Sequence, residues 1–289
     1  MNSKPLALGY SSCPNDTFIF HGLVHGLADA SGLSLGVPLL ADVETLNEWA
    51  LAGRLDISKI SCHALGYVLD EYQLLGAGAA LGRGCGPLLV AREPISDMDL
   101  AECRIAIPGR LTTAALLLKL FAPSCAELVP MRFDQIMPAV AAGQVGAGVI
   151  IHESRFTYRQ HGLYCLRDLG AWWEEISGVP IPLGCIVARR SLGHERLGLI
   201  ERLIRSSVQQ AFERPDLSRD YIRCYAQELN ERVIAEHIRL YVNSFSLELG
   251  AEGGRAIEML LEMGSKTGLL PTISQLPSSK MALKDRRAS

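Results

Sequence analysis

Short apolar runs bounded by Gly, Pro and Ser alternate with amphipathic stretches over roughly the first 185 residues. That alternation predicts an α/β fold with parallel strands. Strands are expected at 5–10, 55–60, 88–92, 104–107 and 185–188. A further apolar run, Gly148-Val149-Ile150-Ile151, stops abruptly at His152. Helices are expected from Thr17 onward, over 45–52 ended by Gly53, over 112–121 opened by Thr112 and Thr113, and from a capping Asp134 to Ala142 ended by Gly143. Glycine just past a helix is a common stop, because it takes the left-handed backbone without a Cβ clash. Pro138 falls early in its helix, where a missing N–H costs little. Beyond about residue 190 the period turns helical, at 197–213, 217–229, 231–242 and 253–263, before a polar tail expected to be disordered.

One internal echo organises these elements. Shifted by 90 positions, Leu51-Ala52-Gly53-Arg54-Leu55 falls on Ala141-Ala142-Gly143-Gln144-Val145, and Ile60 on Ile150. On this register Ser61 and Cys62 match Ile151 and His152. The echo predicts two similar lobes whose corresponding strands end at a shared central cleft. The expected division is 1–90 for the first part of lobe 1, 91–186 for lobe 2, and 187–289 for the completion of lobe 1. The strands near Leu88 and Cys185 would be the hinge.

Composition narrows the function classes. A net charge of -3 over 289 residues leaves no nucleic-acid footprint. The sequence has no apolar run long enough for a membrane span. Lys4 to Cys13 has the outline of a lipoprotein signal, but its apolar core is short and Tyr10 stands where a small aliphatic residue belongs. No signal peptide and a cytoplasmic location are therefore expected. The 8 cysteines are scattered without C-x-x-C spacing, as expected of buried free thiols. Cys62 and His63, as strand neighbours, would face opposite ways and make a poor nucleophile–base pair. His21 and His25 have i, i+4 spacing but no third ligand, so no metal site is expected.

The candidate chemistry lies at strand ends, where ligands bind in open α/β sheets. A histidine there titrates near ~6.5 and serves as a general base, or it is merely structural. The loops 11–17, 61–64 and 109–114 each follow a strand and lead toward a helix N-terminus. Ser12, Asn15, Ser61, Thr112 and Thr113 sit there, either to bind an anion or only to cap. Lys59 adds positive charge or lies at the surface. Arg155 clamps a carboxylate or sits in solvent. Glu153 adjoins His152, and adjacent residues rarely face each other, so it receives no role. The Gly-rich 81–87 segment lacks the strand–helix setting of a nucleotide loop and reads as a flexible turn.

Segments spread in order along the chain carry a resemblance. They are Cys13-Pro14-Asn15-Asp16-Thr17-Phe18-Ile19-Phe20, Asp42-Val43-Glu44-Thr45-Leu46-Asn47, Ala80-Leu81-Gly82-Arg83-Gly84, Ile151-His152-Glu153-Ser154-Arg155-Phe156-Thr157-Tyr158, Leu169-Gly170-Ala171-Trp172-Trp173-Glu174-Glu175 and Tyr241-Val242-Asn243-Ser244-Phe245-Ser246. The chain resembles the 1,4-dihydroxy-6-naphthoate synthase family of menaquinone biosynthesis by the futalosine pathway. The resemblance implies a two-lobed fold like that of type II periplasmic binding proteins. It implies a cytoplasmic carbon–carbon lyase that converts cyclic de-hypoxanthine futalosine to 1,4-dihydroxy-6-naphthoate, and it suggests a homodimer. The family's base falls on His152, and its substrate-binding segments on Lys59, Ile60, Ser61, Thr113 and Ala114. Cys62, His63 and Leu111 look less typical. The expected partner is a small carboxylate substrate, with no metal, redox cofactor, nucleic acid or membrane. Two rivals share the fold: a solute-binding protein, and the sibling chorismate dehydratase.

Overall fold

The computed structural model describes residues 4–27, 33–125, 127–227 and 230–273. The expected polar tail, and the end of the helix expected at 217–229, lie outside the described residues. The chain first lays down β1 (Leu8–Tyr10), α1 (Pro14–Val24), β2 (Leu39–Leu40), α2 (Val43–Leu51), β3 (Ile57–Ser61), α3 (Cys62–Val68), β4 (Tyr72–Leu74) and β5 (Ala80–Gly82). It then leaves to build β6 (Leu88–Ala91), α4 (Asp97–Glu102), β7 (Arg104–Ile107), α5 (Thr113–Phe121), β8 (Glu127–Pro130), α6 (Phe133–Ala141), β9 (Ala147–Ile150), α7 (Ser154–Thr157), β10 (Tyr164–Asp168) and α8 (Leu169–Ser177). It returns through β11 (Ile181–Arg189) to α9 (His194–Glu213), α10 (Arg219–Tyr225), α11 (Glu231–Tyr241), α12 (Ser244–Leu247) and α13 (Gly250–Lys266).

Two sheets result, ordered β2-β1-β3-β11-β4, with β5 also on β11, and β8-β7-β9-β6-β10. The two orders correspond strand for strand. β1 runs parallel to β2 and β3, as β7 does to β8 and β9. On the far side β11 is antiparallel to β3, as β6 is to β9. The 90-residue echo is therefore a structural repeat. Gly53 at φ 63 and Gly143 at φ 71 turn α2 and α6 toward β3 and β9. Every residue of β1, β3, β6 and β9 is buried, which is why these strands read as apolar runs without alternation.

Pairing moves the lobe boundaries from those expected. β6 pairs with β9 and β10 inside the second sheet, from Leu88↔Ile150 onward. β11 lies wholly in the first sheet, with Gly184↔Ser61 and Ile186↔Lys59. Neither strand crosses between lobes, so neither is a hinge; the crossings are 83–87 and the residues between α8 and β11. The Gly-rich segment is close packing rather than a loose turn. A Cβ on Gly86 would stand 2.2 Å from Gly170 Cα. Because that neighbour is backbone, Gly86→Ala is expected to lower stability by roughly 3 kcal/mol. Urea unfolding would measure it, with Gly84→Ala, where a Cβ has open space, as a comparison at φ 66.

Several local expectations shift. α1 begins at Pro14, not Thr17, because proline is pre-set for the first helical turn. Arg132 precedes α6, and Asp134 lies in its first turn, paired with Arg132 rather than capping. Pro138 is inside α6, so its ring removes an interior N–H, not a terminal one. The helix expected at 217–229 is a 3₁₀ turn at Pro215–Ser218 followed by α10. Trp173 is fully buried, with its indole N–H on Pro180 O at 3.1 Å, and Trp172 packs edge-on to Phe121. No helix among the described residues is long and apolar enough to cross a membrane.

Candidate active site

Between the sheets lies a cavity of about 640 Å³ including its mouth, lined from both sides. Asn15, Lys59, Ile60, Ser61, Thr112, Thr113, Ala114 and His152 all line it. Ser12 does not line it; Ser11 does. The Ser11 hydroxyl donates to Asp16 Oδ2 at 2.7 Å, which turns Ser11 inward and leaves Ser12 partly exposed. Val43, Cys85, Leu183, Gly184 and Tyr241 complete the walls.

His152 stands just past β9 with φ 56, the one non-glycine residue at positive φ among the described residues. Few residues tolerate that backbone, and histidine, asparagine and aspartate are over-represented in it. The turn re-aims the chain after Ile151 and puts the imidazole on the cavity wall, edge-on to Phe133 at 5.1 Å. Burial pushes the His152 pKa below its usual value, against the opposing pull of Glu153, Asp16 and Asp42. The ring is therefore neutral at pH 7 and can accept a proton.

Lys59 is buried, and its Nζ sits 3.2 Å from Asp16 Oδ1 and donates to Gly78 O at 2.7 Å. It is neither a surface lysine nor an uncompensated cation. The anion-favouring groups left are the helix N-termini. Thr112 caps α5, its hydroxyl accepting from Ala115 N at 3.2 Å. Thr113 and Ala114 line the cavity, and their N–H groups, in the first turn, have no intrahelical acceptor. Ser61 is held by Asn47, which accepts from its N–H at 2.8 Å and donates to its hydroxyl at 3.2 Å.

Contacts between the lobes hold the α5 N-terminus. Leu111 N–H donates to both Glu44 carboxylate oxygens, at 3.0 and 3.1 Å. Thr113 Oγ1 donates to Leu183 O at 2.7 Å and accepts from His63 N at 3.2 Å. His63 Nδ1 donates to Thr112 O at 3.1 Å. His63 belongs to a helix start, not a strand, so its neighbour relation to Cys62 differs from the one expected. Burial pulls its pKa down to about 4. As pH falls the unfolded chain takes up this proton first, so the stability is full above about pH 6.5 and is lost toward pH 4. His63→Asn is expected to shrink the loss of stability from pH 7 to pH 5 by about 2 kcal/mol relative to wild type, measured by urea unfolding at each pH.

Other candidates resolve differently. Arg155 neither faces a ligand nor lies in solvent: it donates to Gly86 O and pairs with Asp168, each at 2.6 Å, and so ties down a crossing segment. The His21 and His25 rings lie 4.4 Å apart and tilted, and among the described residues no third His, Cys, Asp or Glu ligand atom gathers with them. Among the described residues, His152, Glu153 and His237 are the one such trio, their donor atoms within 4.8 Å of one another. Glu153 Oε2 and His237 Nδ1 lie 3.7 Å apart, longer than a hydrogen bond. His237 and Tyr241 come from α11, and sequence reading missed both as site residues. Their one signal was that Tyr241 opens a resembling segment.

The comparisons agree with this geometry. A family profile described as menaquinone biosynthesis matches residues 6–266. The chain is 51% identical over 266 residues, 92% of itself and 96% of the relative, to a Thermus thermophilus protein named 1,4-dihydroxy-6-naphtoate synthase. A crystal structure of an Archaeoglobus fulgidus protein superposes with a TM-score of 0.88 at 36% identity, covering 93% of this chain and 100% of that one. The periplasmic aliphatic sulphonate binding protein of Escherichia coli superposes with a TM-score of 0.63 at 13% identity, over 94% and 90% of the two chains, which shows the periplasmic-binding-protein-like fold alone. With its two corresponding sheets, its shared cavity and this degree of identity, the chain belongs to the 1,4-dihydroxy-6-naphthoate synthase family of menaquinone biosynthesis.

Proposed function

We propose that the chain is a carbon–carbon lyase that converts cyclic de-hypoxanthine futalosine to 1,4-dihydroxy-6-naphthoate, with His152 as general base. The observation that carries this reading is an imidazole held on the cavity wall by a left-handed backbone, in a cavity shared with the capped N-terminus of α5. A carboxylate on the substrate suits the Thr113 and Ala114 N–H groups, where the helix dipole adds favourable charge. With the substrate anchored there, His152 removes a proton, the carbon–carbon bond breaks, a small sugar-derived fragment is released, and the ring that remains becomes aromatic. Aromatisation supplies driving force, so base chemistry and positioning suffice without a resident metal or redox group. The lobes exclude water on closing.

The test is turnover by the purified chain without added metal or nucleotide, with and without a chelator, following naphthoate by mass. Product formation that is insensitive to the chelator is the expected result. Binding without product would move the chain to the solute-binding class of its fold. Dehydration of chorismate instead would make it the sibling enzyme.

A further inference from the structure

Hydrogen bonds fix the protons along one buried chain of side chains, up to a single gap. Asp16 Oδ1, paired with Lys59, also accepts from Asn15 Nδ2 at 2.8 Å. The Asn15 amide is thereby oriented, nitrogen toward Asp16 and oxygen toward His237. Asn15 Oδ1 lies 2.9 Å from His237 Nε2, and an amide oxygen can only accept, so Nε2 carries the proton. The Nδ1 of a neutral His237 is then a bare lone pair. It faces Glu153 Oε2 at 3.7 Å, and neither atom has another hydrogen-bond partner. His237 is 0% exposed and Glu153 8%.

Two buried acceptors left facing each other cost roughly 1–3 kcal/mol apiece. A water donating to both, through two bonds of about 2.8 Å opened by its own angle, spans about 4.4 Å, more than this gap holds. A proton between the two atoms resolves the conflict. It converts a lone-pair clash into a charge-assisted hydrogen bond once the side chains close up.

We infer that Glu153 and His237 hold one proton between them and act as a positioning pair behind His152, an inference that rests on the reading of His152 as the base. Glu153 follows His152 in the chain, so anchoring it to His237 anchors the left-handed turn. The His152 and His237 rings lie 6.0 Å apart and nearly parallel, at 19°. With the proton in place the pair carries no net charge, whichever atom holds it. Without the proton it presents one negative charge to His152. Cys13, Tyr241, Asp16 and Asp42 also face this region. Burial keeps the Cys13 thiol and the Tyr241 phenol protonated, and Asp16 is paired with Lys59. Burial and the neighbouring His152 push the His237 pKa well below its usual value.

Ring nitrogen NMR of the ligand-free protein with labelled histidine tests this directly. The expected result is a strongly downfield proton at His237 Nδ1, lost in Glu153→Gln and kept in His152→Asn. The side-chain amide introduced by Glu153→Gln can donate to Nδ1, which preserves the packing. Should that variant unfold, a pH titration of the wild type serves, in which the downfield proton and the shifted Nδ1 resonance leave together. A bare Nδ1 unchanged by Glu153→Gln would overturn the proposal. So would about one equivalent of metal in the purified protein that is lost in His237→Gln. In turnover, Glu153→Gln is expected to lower kcat at least tenfold with KM within threefold, and to remove one ionisation from the pH profile of kcat/KM. An unchanged profile would also overturn the proposal. The NMR readout needs no substrate, so a failure of the lyase reading would leave the shared proton standing and remove only its role behind a base.

Discussion

His152→Asn is expected to lower kcat/KM by about 10³-fold or more, the usual range for removing a general base, while the protein stays folded. Asparagine is the informative replacement because of the backbone. At φ 56 an alanine pays roughly 1–2 kcal/mol for its Cβ, whereas asparagine visits this region readily. A loss of activity in His152→Ala would mix strain with lost chemistry; in His152→Asn it would not. The amide cannot take up a proton near neutral pH, so no alternative base is created. Paired measurements of thermal unfolding and turnover of cyclic de-hypoxanthine futalosine would check this. An asparagine variant with near-wild-type kcat/KM would remove His152 from the mechanism. His152→Gly, which relieves the strain entirely, is expected to be at least as stable as wild type and equally inactive.

How much of this was legible in the sequence follows from the range of the interactions involved. The β3 and β9 units could be found because their signals are local: a helix, a glycine that takes positive φ, then a short apolar run. Thr112 was readable as the start of α5 for the same reason, since a cap bonds within its own turn. His152 stood out because an apolar run ends there. The edge strands β2, β8 and β10 are partly or fully exposed and too short to form a period, so the chain shows no alternation there. Glu153 was set aside for facing away from His152, and its partner proved to be His237, far along the chain. Ile234, His237 and Tyr241 form the buried stripe of an ordinary amphipathic helix. Only the return of the chain through β11 places that stripe behind the second sheet's histidine.

Lys59 shows most sharply how a distant partner changes the meaning of a residue, and Lys59→Met is expected to cost about 3–5 kcal/mol, the usual penalty for breaking a buried ion pair from one side. Both side chains are about 5% exposed, so water cannot take over the solvation of the Asp16 carboxylate. Asp16 would keep the Ser11 hydroxyl and the Asn15 amide but lose the Lys59 ammonium. Gly78 O would lose a donor as well. The expected fall in Tm is about 10 °C, at about 2–4 °C per kcal/mol for a chain of this size. Adding Asp16→Asn should recover most of that loss, because a neutral pair no longer carries an uncompensated charge. If the double variant were no more stable than Lys59→Met, the pairing energy would not be what holds Lys59 in place. The same double variant also separates two roles at the cavity wall. Asp16 already neutralises the ammonium, and Gly78 O fixes its direction, so the anion is left to the α5 N-terminus. The KM of the refolded double variant is therefore expected to stay within about tenfold of wild type, less than the 1.4 kcal/mol that separates one decade from the next. A larger rise would return Lys59 to the substrate as a direct counter-charge.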